Sequence, residues 1–85
     1  MSQPRYTYAL TKEALEFFAS LSAKEQQKLL DYFRLLSAQP GRRGELQVPG
    51  LDGRNHQVVE YDGFFVTYWP DDAVQEVRIT EIHWS

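Results

Sequence analysis

At 85 residues, with five Phe, five Tyr and two Trp, the chain has room for one aromatic-rich core and is expected to form one domain over residues 1–85. The absence of cysteine excludes a disulfide framework, a thiolate zinc site and a Cys nucleophile, and nothing calls for an oxidising compartment. The formal net charge is −3, and after residue 40 Asp and Glu occur 8 times against 4 for Arg, so a nucleic-acid binder of this composition has to rely on a few focused arginines.

In chain order, Tyr6, Tyr8 and Leu10 alternate with Thr7 and Ala9, the period of a strand with one buried face. Thr11 follows as a helix N-cap, with Glu13 in the first turn and Ala14, Phe17, Phe18 and Leu21 at helical spacing. Ser22-Ala-Lys-Glu25 has the spacing of a capping box and opens a second helix. Its apolar stripe is Leu29, Leu30, Phe33 and Leu36, and Pro40-Gly41 ends it. The link between the helices is so short that they are expected to fold back as an antiparallel hairpin.

Beyond Gly41 the helical period gives way to turn dipeptides between runs rich in Val, Ile, Tyr and Phe. Leu46 to Val48 is a weak strand, Pro49-Gly-Leu-Asp-Gly53 a loop, and Arg54 to Tyr61 a third strand. Asp62-Gly63 reads as a two-residue type I′ hairpin loop leading into Phe64 to Trp69. A turn over Pro70-Asp-Asp-Ala73 precedes a last strand from Val74 to Trp84, where Val77, Ile79 and Ile82 break strict alternation and imply a bulge. The fold class expected is α+β: an N-terminal strand, a two-helix hairpin and an antiparallel sheet, with both helices on one face and the other face left for function. The start carries no apolar leader, and no stretch approaches the roughly 20 apolar residues of a membrane span, so a cytoplasmic protein with no membrane contact is expected.

This order resembles the RelE/ParE toxin superfamily. The residues that carry the resemblance are Leu10-Thr-Lys-Glu-Ala14, Leu35-Leu-Ser-Ala-Gln-Pro40, Leu51-Asp-Gly-Arg54, Asp62-Gly-Phe-Phe-Val-Thr-Tyr68 and Glu76-Val-Arg-Ile-Thr-Glu-Ile82. The resemblance covers nearly the whole chain and rests on the order of the segments. It implies the toxin of a type II toxin–antitoxin pair with a cognate antitoxin as partner. RelE-like members are implied to cut mRNA on the ribosome, as metal-independent endoribonucleases (mRNA interferases) without a cofactor. ParE-like members are implied to inhibit DNA gyrase.

Metal-free RNA cleavage needs a base for the 2′-hydroxyl, an acid for the leaving oxygen and fixed positive charge at the phosphate. The candidate catalytic residues are His83, Arg54, Arg78 and His56, and the candidate RNA-binding residues are Trp84, Arg42 and Arg43. A His can give or take a proton near neutral pH, and the His83-Trp84 pair is similar to the end of some RelE-like toxins. Each candidate also has a purely structural reading. His83 can cap a strand at a frayed end, Trp84 can cover the core, Arg54 can be a turn-flanking charge, and Arg78 can pair with Glu60 or Glu76 across strands. Arg42-Arg43 reads as a solvated loop more readily than as a site, and Asp71-Asp72 as ordinary turn residues with no third metal ligand nearby in sequence. Phe65 stands where active RelE-like toxins commonly carry Arg, and residues 55–60 replace a lysine-rich strand with a single His. That depletion leaves gyrase inhibition, or antitoxin binding without catalysis, as the alternative.

Overall fold

The structure is a computed structural model describing residues 6–41 and 44–85. Its elements are β1 (Thr7–Leu10), α1 (Lys12–Ala19), α2 (Ala23–Ala38), β2 (Leu46–Pro49), β3 (Asn55–Tyr61), β4 (Phe64–Asp71) and β5 (Glu76–Trp84). The helices begin where their capping residues dictate. The Thr11 hydroxyl oxygen accepts the Ala14 N–H at 3.3 Å, and Ser22 with Glu25 forms the reciprocal capping box. Among the described residues no helix is long and apolar enough to cross a membrane.

The strands form one sheet in the order β1-β5-β4-β3-β2. The four C-terminal strands are an antiparallel meander, as their turns predict. Asp62 (φ 49°) and Gly63 (φ 92°) both occupy the left-handed region, which is the backbone demanded by a type I′ loop. β1 differs: it pairs in parallel with β5, Thr7 opposite Glu76 and Leu10 opposite Ile79, so the sheet is mixed. The chain leaves the helices into β2, which runs opposite to β1, and three antiparallel reversals later β5 runs with β1, so their pairing needs no tight turn between them.

The bulge falls where the alternation fails. Thr67 pairs with Glu81 and Tyr68 with Ile79, leaving Thr80 as the extra residue, and the Thr80 hydroxyl donates to the Thr67 carbonyl at 3.3 Å. The extra residue returns Ile82 to the face of Val77 and Ile79. The last hairpin differs from the expected turn at Pro70. β4 runs on through Asp71, which pairs with Glu76, and residues 72–75 make the turn. Pairing with β3 stops at Tyr68, so Pro70 sits where β4 has an edge, the setting in which a strand tolerates proline.

Both helices cover one face. Ala14, Leu21, Leu29, Tyr32, Phe33 and Leu36 pack with Phe64, Val66, Tyr68, Val77, Ile79 and Ile82 in one buried cluster. The alternate side chains of β3, β4 and β5 point to the face without helices.

Candidate functional site

Alternation along the strands sends His56, Phe65, Trp69 and Arg78 to the open face. Trp69 is its centre. The Arg54 guanidinium lies 4.2 Å from the Trp69 ring centroid and that of Arg78 5.7 Å, within cation–π range. The His56 ring stacks on the same indole at 6.3 Å and 23°. Three of the residues singled out from sequence, Arg54, His56 and Arg78, are therefore brought together from the β2–β3 loop, β3 and β5.

Each is also matched by a carboxylate. Arg78 contacts Asp71 at 3.1 Å and Glu76 at 3.4 Å. Asp52 lies 3.3 Å from His56 Nε2 and 4.0 Å from Arg54 Nε. The Arg54 backbone N–H donates to Asp52 at 3.0 Å. That bond, opposed by partial desolvation and aided by His56, holds the Asp52 carboxyl below its ordinary range. Beside the cluster, between the β2–β3 loop and the start of α1, lies a groove of about 640 Å³ whose lining includes Glu13, Leu51, Asp52, His56, Thr67 and Glu81. Three carboxylates and, among the described residues, no Lys or Arg line it, so the groove is acidic beside the two arginines on Trp69.

The remaining candidates lie apart. His83 is opposite Phe65 on the open face, four residues or about 13 Å along β4 from Trp69. It is well exposed and 3.3 Å from Glu81. Trp84 is on the helix-covered face, stacked on Phe64 at 4.8 Å and edge-on to Phe17 at 5.7 Å, which matches the reading of an aromatic that covers the core. Arg42 and Arg43 lie outside the described residues. Asp72 accepts the Tyr6 hydroxyl at 2.6 Å and Asp71 holds Arg78. Among the described residues no group of His, Asp and Glu side chains is arranged to hold a metal ion.

Two participants escaped sequence reasoning. Trp69 reads as the end of a strand, and only the phase of the alternation with buried Phe64, Val66 and Tyr68 puts it on the open face. Asp52 reads as a turn residue, although its spacing of four from His56 across a two-glycine loop was a usable signal.

A two-helix hairpin on one face of a five-strand mixed sheet is the fold that this chain shares with solved RelE toxin structures. The solved structures it resembles include the toxin–antitoxin complex RelBE2 from Mycobacterium tuberculosis, with a TM-score of 0.74 and 18% identity over 96% of this chain and 100% of that one. The archaeal RelE–RelB complex from Pyrococcus horikoshii OT3 matches at 0.74 and 14% over 95% and 96%. The isolated E. coli RelE toxin matches at 0.74 and 15% over 94% and 84%. No protein-family model matches the sequence, and no curated protein is similar to it in sequence.

Proposed function

We propose that the protein is the toxin of a type II toxin–antitoxin pair and acts as a ribosome-dependent mRNA endonuclease. The carrying observation is the convergence of Arg54, His56 and Arg78 on Trp69, on the open face of a fold that matches RelE proteins over nearly the whole chain. The arginines hold the phosphate and stabilise its charge as it becomes pentavalent, a role suited to the guanidinium fork. His56 exchanges the proton at the reacting group. The 2′-hydroxyl loses its proton, its oxygen bonds to phosphorus, and the bond to the 5′-oxygen breaks as that oxygen gains a proton. His83, further along the same face, meets a neighbouring nucleotide.

The carboxylates on Arg54 and Arg78 favour a second reading, a toxin that binds its target, DNA gyrase included, without cutting RNA. One experiment separates the two. Purified protein added to programmed ribosomes is expected to cut the mRNA, and Arg54→Ala and His56→Ala are each expected to slow the cut by about 100-fold with the fold intact. His83→Ala measures the share of the more distant imidazole. Whole mRNA across neutral pH defeats the nuclease reading, and a gyrase supercoiling assay then takes its place.

The same proposal includes a cognate antitoxin as partner, as the RelB–RelE complexes have. β2 is an edge strand with Leu46, Gln47 and Pro49 exposed, open to pairing with an extended arm. Co-expression with the neighbouring gene is expected to raise the melting temperature and to slow hydrogen exchange at Phe17, Leu30 and β2. A neighbour that neither co-purifies nor protects these positions rules this partner out.

A further inference from the structure

The loop between β2 and β3 is built around one imidazole. The Gly50 N–H donates to the Arg54 carbonyl at 2.7 Å and the Gly53 N–H to the Gly50 carbonyl at 3.1 Å. This folding back carries Asp52 to His56. One Asp52 oxygen accepts the Arg54 N–H at 3.0 Å, which leaves the other to meet His56 Nε2 at 3.3 Å. Gly50 closes the arrangement from behind. A Cβ there would lie 2.6 Å from His56 Nε2 and 2.7 Å from Asp52 Oδ1, so the bare backbone packs on both halves of the pair. The His56 side chain is only 15% exposed, and its other neighbour is the Trp69 ring. A backbone, an indole and a carboxylate thus restrain one side chain, and a free surface ion pair needs none of the first two. The charged groups around it are Asp52 and Arg54 of the loop, Arg78 of β5 on the same indole, and Glu13 and Glu81 across the groove.

We infer that Asp52 is a positioning residue for His56, holding the imidazole in the tautomer with its proton on Nε2 and leaving Nδ1 to exchange a proton with the substrate. The same division of labour between a carboxylate and an imidazole recurs wherever a His must present one defined nitrogen. Use of the pair in catalysis rests on the nuclease reading, whereas its effect on the tautomer does not.

Two measurements keep these apart. The ring ¹⁵N shifts of His56, recorded at a pH where the imidazole is neutral, are expected to show the Nε2–H form almost alone in the natural protein and a mixture in Asp52→Ala. Gly50→Ala, which keeps both side chains but forces them apart, is expected to give a similar mixture. A dominant Nδ1–H form in the natural protein, or a tautomer ratio unchanged by both substitutions, overturns the inference. On programmed ribosomes, Asp52→Ala is expected to lower kcat by about 10- to 100-fold at little change in KM, with partial recovery in Asp52→Glu. Loss in KM alone would make Asp52 a binding contact and would also overturn it. If the natural protein leaves mRNA whole, the nuclease reading fails and the ¹⁵N shifts alone decide the role of Asp52.

Discussion

Phe33 has no exposed surface and meets Tyr8 of β1 at 5.5 Å and Phe18 of α1 at 6.3 Å, so it joins three elements at one ring. Phe33→Ala is expected to cost about 3 to 5 kcal/mol, as other large core truncations do, close to the whole stability of a small domain, and urea unfolding measures it. Two titratable residues contribute to the pH dependence of stability. Asp52 is held below its ordinary value of 3.8, chiefly by the Arg54 N–H, so its contribution is complete above that value and is lost as pH falls through the lower folded one. Tyr6 is raised above 10.0 by the hydroxyl bond to Asp72, so its contribution holds below 10 and is lost as pH rises through the higher folded value. Melting temperatures across pH should therefore show a shallower acid limb for Asp52→Asn and a shallower alkaline limb for Tyr6→Phe, and limbs unchanged in both would contradict these assignments. At this scale the site was half legible. Arg54, His56 and Arg78 announce themselves by chemistry, but that they share one indole depends on which face each strand turns outward.

Thr11 ties two elements that sequence reading treats separately. Its side chain caps α1 and also donates to the carbonyl of the bulge residue Thr80 at 2.8 Å. Thr11→Ala is expected to destabilise by about 1 to 2 kcal/mol, at the upper end for a cap, and Thr11→Ser to recover most of it. A loss equal to that of Ser22→Ala, whose cap makes no contact with the sheet, would show that the bond to the bulge adds nothing. Most elements were readable because their signals are local. Capping spacing, the Asp-Gly loop and the interruption between Ile79 and Ile82 each act within a few residues. The parallel pairing of β1 with β5 was not readable, because a four-residue strand carries no mark of which distant edge it will join. The extension of β4 through Pro70 was missed for a similar reason, since proline reads as a breaker until the lack of a β3 neighbour is known.

Across the whole molecule, the net charge of −3 and the two arginines on Trp69 set how the protein would meet RNA on the proposed nuclease reading. With about two phosphates neutralised, the logarithm of affinity for single-stranded RNA should fall with the logarithm of salt at a slope of only about −1.4. Titrations of a labelled oligonucleotide test this, and a slope several times steeper would reveal a basic surface beyond Arg54 and Arg78. A weak grip on free RNA is what the proposed dependence on the ribosome would require. The meeting of the first and last strands bears on how the chain is made. Thr11 and Thr80 are 69 residues apart in sequence, so β1 and both amphipathic helices are synthesised long before the strand that completes their support. Such remote closure slows folding and leaves apolar stripes uncovered meanwhile. The chain should therefore gain its fold only after β5 has left the ribosome that made it, so any activity of the finished site is withheld during its own translation, and ribosome-bound chains halted before Glu76 should remain protease-sensitive.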